Sequence, residues 1–176
     1  MTSRLQAGDV ATWEALYERM YPAMLAYAER RLGKREEARD SVSEALTRAV
    51  AGIDRLVASG VSAEAWFFGI LRHVVLDQHR RNYRRRTLKV SRDIVEDEPF
   101  ENIVIKEEWT IMRAAFAKLS ERDRDVLELR VVAGLTSEDT ASVLGMRSGA
   151  VRTAQARALG RLRTILVQAD PEGASA

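Results

Sequence analysis

The residues of this sequence that are best suited to binding chemistry lie near its C-terminal end. Between Leu144 and Ala169 there are five arginines and no acidic residue. Guanidinium groups bind phosphate oxygens and the edge of guanine, and nearby hydroxyl groups add further hydrogen bonds. A helix with these groups on one face presents a cationic, hydrogen-bonding surface, for which the major groove of DNA is the favoured partner.

The spacing of apolar residues around these arginines predicts a helix-turn-helix. Two periodic segments, roughly Ser137 to Leu144 and Gly149 to Leu166, are separated by Gly145, Met146 and Arg147, which fits a helix, a tight turn and a second helix. Steps of three or four residues in the second segment predict a buried stripe, formed by Val151, Ala154, Ala158, Leu162 and Ile165. The opposite face carries Ser148, Arg152, Thr153, Ala156 and Arg157. Arg161 and Arg163 are interpreted as phosphate contacts or as a solvated helix end.

A second cationic segment ends the helix that is predicted to begin after Ser62. This serine is the expected N-cap. Two apolar rows give the helix a broad buried face, Trp66, Ile70 and Val74 in one and Phe67, Leu71 and Val75 in the other. The helix then ends in the run Arg80-Arg81-Asn82-Tyr83-Arg84-Arg85-Arg86, which is more basic than capping of a helix C-terminus requires.

A third charged face lies between Arg35 and Val57, a segment that is predicted to form one helix. Its apolar stripe is Ala38, Val42, Ala45 (or Leu46), Ala49 and Ile53. Asp40, Glu44 and Arg48 recur every four residues on a different face, where Glu44 and Arg48 can pair across one turn for a few tenths of a kcal/mol. The pattern fits either a solvated face or a docking surface.

The remaining segments also show helical periodicity, and none alternates with the period of two that a strand requires. A helix is expected from about Trp13 to Gly33, interrupted at Pro22. Another should run from about Asn102 to Ala117, and a further one from its cap at Ser120 to Gly134. The sequence therefore predicts an all-α protein.

Charge is distributed unevenly along the 176 residues, although the net charge is only +2. Residues 1–86 carry 15 basic and 11 acidic residues, residues 87–108 carry 3 and 7, and residues 109–176 carry 10 and 8. The sequence Glu96-Asp97-Glu98-Pro99 lies in the acidic part and is typical of a linker. We predict two small helical domains, residues 1–86 and 103–176, joined by a flexible acidic linker of residues 87–102.

The composition excludes several classes of function. There is no cysteine and only two histidines, so neither a disulfide framework nor a metal site is expected. We find no P-loop, no nucleophile elbow and no histidine pair at metal-ligand spacing, and therefore expect no enzyme and no cofactor. No signal peptide and no membrane-spanning run is recognisable, so we expect a cytoplasmic protein without membrane insertion.

Five segments along the chain form a recognisable series, namely WEALYERMYPAMLAYAERRLG, EEARDSVSEALTRAV, AWFFGILRHVVLDQHRR, LSERDRDVLELRVVAGLTSEDTASVLGM and GAVRTAQARALGRLR. In this order and spacing they together resemble the extracytoplasmic-function sigma factors of bacterial RNA polymerase. The resemblance covers about residues 7 to 166. Helix-turn-helix patterns are common, but five segments in the right order are highly specific.

For the first domain, the resemblance implies binding to core RNA polymerase and recognition and melting of the promoter minus-ten element. The helix that contains Asp40, Glu44 and Arg48 would dock on the polymerase, with Ser43 in place of the family's usual glutamine. The helix after Ser62 would face promoter DNA with Arg72, His73, Asp77, Arg80 and Arg81. The loop from Ala58 to Ser62 occupies the position at which the family captures a flipped base.

For the second domain, the resemblance implies recognition of the minus-thirty-five element. The candidate contacts are Arg147, Ser148, Arg152, Thr153 and Arg157, and Arg152 is the one expected to bind guanine in a bidentate way.

The resemblance also implies an anti-sigma factor as a further partner. The alternative function is a stand-alone helix-turn-helix regulator, in which residues 1–86 would sense a signal or form a dimer.

Overall fold

The computed structural model describes residues 2–88 and 103–169. These residues form helices and contain no strand, so the predicted all-α class is confirmed. The α-helices are α1 (Thr2–Gln6), α2 (Val10–Leu32), α3 (Arg35–Ala51), α4 (Ile53–Ser59), α5 (Ala63–Leu88), α6 (Ile103–Ala117), α7 (Glu121–Leu127), α8 (Ser137–Leu144) and α9 (Ser148–Ala169). A π-helical turn, Glu128–Val132, follows α7 directly. The predicted acidic linker lies largely outside the described residues.

The first module, α1 to α5, packs around α5. Phe67, Phe68 and Leu71 of α5 are fully buried against α2 and α3. Trp13 of α2 contacts the ring of Phe67 edge-on, with the ring centroids 6.1 Å apart. Ser62 caps α5 as predicted, because its side chain accepts a hydrogen bond from the Ala65 amide at 3.0 Å. The apolar side of α5 is therefore fixed inside the module, and its charged side must lie away from this core.

Helix α2 is continuous, and the predicted interruption at Pro22 was wrong. Proline removes one backbone donor and disfavours a helix interior. Met20 and Met24 on either side of it are nonetheless buried in the core, so tertiary packing overrides this local preference. Gly33 ends the helix as predicted, in a left-handed conformation with φ 72° and with its N–H bonded to the Glu29 carbonyl.

The single helix predicted from Arg35 to Val57 is instead divided at Gly52 into α3 and α4. A Cβ atom at Gly52 would lie 3.0 Å from the Trp66 ring of α5. The glycine therefore lets α5 approach closely at the point where the chain bends. The expected stripe of α3 is confirmed, since Ala38, Val42, Ala45 and Ala49 are all buried.

The second module contains α6 to α9. Ser120 caps α7 by accepting a hydrogen bond from the Asp123 amide at 3.2 Å, as predicted. Helices α7, α8 and α9 pack on one another, with Val126 of α7 and Val151 of α9 fully buried. Met112 of α6 is 37% exposed.

The two modules pack against each other. Leu129 lies within the π-helical turn and Leu135 lies shortly after it. Both are buried in the same core as α2 and α5. Helix α8 lies against α5, and the π-helical turn lies against α2. The second module thus covers part of the first.

Candidate nucleic-acid interface

Helices α8 and α9 form the helix-turn-helix that the sequence predicts. Thr136 caps α8 by accepting a hydrogen bond from the Asp139 amide at 3.0 Å. Gly145 ends α8 with φ 63°, a left-handed conformation that glycine adopts without strain. After Met146 and Arg147 the second helix begins at Ser148, one residue earlier than expected. Three residues thus separate the helices, and this short turn fixes the position of α9 on α8.

The two faces of α9 differ as predicted. Val151 and Ala158 are fully buried, and Ala154, Leu162 and Ile165 are half-buried against the apolar clusters of the second module. The candidate contact residues Arg147, Arg152, Thr153 and Arg157 are exposed, and Ser148 is half-buried. The structure therefore presents a row of guanidinium and hydroxyl groups at the N-terminal part of one exposed helix, which is where recognition helices meet base edges.

Arg152 has a weak acidic neighbour. Its Nη1 atom lies 3.8 Å from Oε1 of Glu138 on α8, and the two side chains are 64% and 70% exposed. An exposed pair at this distance contributes little, because water screens both charges. The guanidinium can therefore exchange Glu138 for a base or a phosphate at small cost. The Thr153 hydroxyl donates to the Gly149 carbonyl at 3.2 Å and keeps its lone pairs for a further donor.

Arg161 has a structural role that the sequence interpretation missed. It binds Asp123 of α7 through two hydrogen bonds, Nε to Oδ2 at 2.8 Å and Nη2 to Oδ1 at 2.6 Å. Burial alone would raise the pKa of Asp123, but the hydrogen bonds of Arg161 and Ser120 outweigh it and hold the pKa below its usual value. Arg161 therefore ties α9 to α7, a role that the expectation of a phosphate contact or a solvated helix end did not include.

The outer side of α5 is the second candidate DNA face. His73, Asp77, Arg80 and Arg81 are exposed. Arg80 pairs loosely with Asp77 at 3.5 Å, and the His73 Nδ1 atom lies 2.7 Å from the Gly69 carbonyl oxygen. These four side chains form a solvent-facing row of mixed charge.

Arg72, the fifth residue predicted on this face, is directed into the junction between the modules. Its Nε and Nη2 atoms donate to Oδ2 of Asp125 on α7 at 3.2 and 2.7 Å, and its side chain is 22% exposed. Arg31 of α2 donates to Asp125 and also to Glu128 of the π-helical turn. We call these four residues, Arg31, Arg72, Asp125 and Glu128, the junction cluster.

The junction cluster is shielded from water. The side chains of Arg31, Asp125 and Glu128 are 10%, 5% and 2% exposed. Burial raises the pKa of Glu128, and the positive charge of Arg31 offsets only part of this effect. The Arg31 guanidinium also lies 5.6 Å from the ring centroid of Tyr27, whose pKa is raised by burial. Since buried charges need partners, the cluster is stable only while the modules stay together.

The candidate docking face on α3 is exposed to solvent. Asp40, Glu44 and Arg48 are exposed, and Arg48 Nη2 donates to Glu44 Oε1 at 2.5 Å, which confirms the expected pair across one turn. Both partners are about half exposed, so the pair contributes little to stability. The face carries both signs of charge and is free to meet a partner.

Two models of the Sigma-70 family match this chain. Sigma-70 region 2 matches residues 16–85 and Sigma-70 region 4 matches residues 110–162. Together the two matches cover well over half of the chain, and one match lies within each module.

Whole-chain relatives give the same result. The ECF RNA polymerase sigma factor ShbA of Streptomyces griseus is 33% identical over 96% of this chain and 94% of its own length. The ECF RNA polymerase sigma factor SigD of Mycobacterium tuberculosis is also 33% identical, over 93% of this chain and 81% of its own. The chain belongs to the ECF RNA polymerase sigma factors, the transcription initiation factors that direct core polymerase to promoters. Membership of this family decides between the two functions that the sequence left open: it favours the sigma factor over the stand-alone helix-turn-helix regulator.

Solved structures share the fold. The sigma factor RpoE of Bartonella quintana, crystallised in complex with the anti-sigma factor NepR, superposes with a TM-score of 0.69 and 26% identity, over 89% of this chain and 98% of that one. CnrH, in complex with the cytosolic domain of CnrY, superposes with a TM-score of 0.66 and 22% identity, over 96% of each chain. The likeness to RpoE extends over both modules.

Two further findings concern only the described ranges, 2–88 and 103–169. No helix there is long and apolar enough to cross a membrane. No group of three or more histidine or acidic side chains is arranged to hold a metal ion in that part of the chain.

Proposed function

We propose that the two modules divide promoter recognition between them. The second module, residues 103–176, reads the minus-thirty-five element through Arg147, Ser148, Arg152, Thr153 and Arg157. The first, residues 1–86, reads and melts the minus-ten element through the α5 face of Arg72, His73, Asp77, Arg80 and Arg81. The observation that carries this division is the exposed, cationic outer face of α9, opposite a stripe buried in its own module. The protein would then act in the cytoplasm as a binding subunit and not as an enzyme.

We propose that α3 docks on core polymerase. Asp40, Glu44 and Arg48 are exposed and lie far along the chain from the DNA-facing row of α9. A charged docking face sets the rate and specificity of association more than it sets affinity. Docking through α3 would leave the outer faces of α5 and α9 accessible to promoter DNA.

Transcription in vitro tests the assignment of promoter elements. Core polymerase and the purified protein are first incubated with a library of genomic fragments, and the DNA bound with polymerase is sequenced to find the promoter. The recovered promoter is then transcribed with the minus-ten or the minus-thirty-five element scrambled. Arg152→Ala should lose the response to changes in the minus-thirty-five element and keep the response to the minus-ten element. The reverse result would contradict the division.

We propose further that an anti-sigma factor holds this protein inactive by binding both modules. The support is the likeness to RpoE, which was solved in complex with the anti-sigma factor NepR and matches over both modules of this chain. Protein captured on the tagged full-length chain from its own cells and identified by mass spectrometry should include a protein that blocks transcription when it is added back. If no captured protein inhibits, the proposal of an anti-sigma partner is wrong.

A further inference from the structure

The contact between the modules combines buried charge with apolar packing. Arg31 and Arg72 of the first module share the Asp125 carboxylate of the second, and Arg31 also binds Glu128. Leu129 and Leu135 of the second module are buried in the core of the first. Separating the modules would therefore expose two leucines to water and break three ion pairs.

The same contact covers the region from which α5 begins. The Ser62 hydroxyl, at the entry to α5, donates to Oδ1 of Asp139 on α8 at 2.5 Å. Arg72, one of the proposed minus-ten contacts, is held by Asp125. The outer face of α9 remains exposed in the same arrangement. The contact therefore engages one residue of the proposed α5 face, Arg72, and leaves the outer face of α9 free.

This arrangement cannot bind both promoter elements at once. The positions for which the elements are named, minus ten and minus thirty-five, place them about 25 base pairs apart, which is about 85 Å at the rise of about 3.4 Å per base pair of B-DNA. In the structure the entry to α5 is within hydrogen-bond distance of α8, which packs directly on α9. The proposed contacts on α5 end at Arg81, 19 residues beyond Ser62, which is about 29 Å along a helix of about 10–12 Å diameter. Because these lengths fall well short of about 85 Å, the modules must separate before both elements of one promoter are bound.

We propose that the structure is a closed state of the free protein and that Asp125 and Glu128 are the latch that holds it closed. This inference rests on the proposed division of promoter recognition. In the closed state the two carboxylates compensate the buried charges of Arg31 and Arg72. In the open state all four groups return to water, where none needs a partner. A change of charge at Asp125 therefore acts mainly on the equilibrium between the two states. A partner that binds only the open state binds with lower apparent affinity, because the latch reduces the open fraction.

Small-angle scattering of the full-length chain tests the latch directly. Asp125→Lys places a third cation beside Arg31 and Arg72 and should separate the modules. A compact chain of this length has a radius of gyration of about 16 Å, and the variant should exceed the wild-type value by several ångströms. Glu121→Lys is the matched control, because it makes the same change of charge at an exposed position of the same helix and should scatter like the wild type. A variant as compact as the wild type would overturn the latch.

Where circular dichroism shows that Asp125→Lys has lost helix content, the double variant Asp125→Asn, Glu128→Gln replaces it. This pair keeps the shapes of both side chains and removes their charges, so the same expansion is expected. If this variant is fully helical and still compact, the latch is refuted.

Transcription on the recovered promoter tests what the latch does. When only an open fraction can bind, the apparent affinity falls in proportion to that fraction. The concentration of Asp125→Lys needed for half-maximal transcription should therefore be roughly threefold or more below those of the wild type and Glu121→Lys. Expansion with no change in this concentration would show that the contact does not restrict promoter binding. If even the wild type gives no specific transcription, the proposed function fails, and the scattering result still decides whether the latch exists.

Discussion

The arginines on the outer face of α9 and those of the junction cluster carry the same group in opposite environments. The Arg152 side chain is 64% exposed and has one loosely placed carboxylate 3.8 Å away, whereas that of Arg31 is 10% exposed and binds two carboxylates. An arginine in water can exchange its partner freely, but a buried one depends on the partner it has. The first environment suits binding of DNA, and the second suits control of the molecule's shape.

The largest expected effect comes from removing the central cation of the junction cluster. Arg31→Ala removes the cation that binds both Asp125 and Glu128 and leaves Arg72 on Asp125 alone. Loss of one member of a buried ion pair costs about 3–5 kcal/mol while the other members stay buried. Urea denaturation followed by circular dichroism should show a clear fall in stability. Arg19→Ala, which removes an exposed pair with Glu64, should cost no more than about 1 kcal/mol. Equal losses would mean that the buried and exposed pairs do not differ.

The next effect concerns the exposed arginines. Arg152→Ala should weaken binding to a minus-thirty-five duplex by about 1–3 kcal/mol and relax the preference at one base pair. Fluorescence anisotropy on a series of single-base variants of the duplex measures both quantities. A loss that is equal on every sequence would make Arg152 a phosphate contact. The folding stability of this variant should stay within about 0.5 kcal/mol of the wild type.

Arg161 gives a comparison within α9. Arg161→Ala removes two hydrogen bonds to the buried Asp123 and should lower stability by about 1 kcal/mol, since the arginine itself is half exposed. Because the folded-state pKa of Asp123 lies below its ordinary value of 3.8, the carboxylate contributes stability above pH 3.8. This contribution disappears as the pH falls through the lower folded-state pKa. Urea titrations at several acidic pH values should show a weaker pH dependence in the variant.

The smallest effect on stability is expected at the docking face. The double variant Asp40→Ala, Glu44→Ala breaks only an exposed pair of one helix turn and should change stability by less than about 0.5 kcal/mol. It should nevertheless bind core polymerase less tightly in a pull-down or by surface plasmon resonance. Unchanged affinity for core polymerase in the folded variant would contradict docking through α3. Glu36→Ala, an exposed acid in the first turn of the same helix, serves as the control.

The sequence by itself determined the features that depend on neighbouring residues. The caps at Ser62 and Ser120, the glycine that ends α2, the turn between α8 and α9, and the buried stripe of α9 were all predicted and confirmed. Each of them depends on residues a few positions apart, which helical geometry brings together. The charged outer face of α9 follows from the same periodicity.

Only the tertiary structure decided which arginines are free. Arg31 and Asp125 are 94 positions apart, Arg72 and Asp125 are 53 apart, and Arg161 and Asp123 are 38 apart. No periodicity links such pairs, because a charged residue on a helix surface has the same local pattern whether it faces water or another helix. The bend at Gly52 and the continuity of α2 through Pro22 likewise depend on packing against other helices. The contact between the modules, and with it the difference between the exposed and the buried arginines, comes from the packing of distant segments.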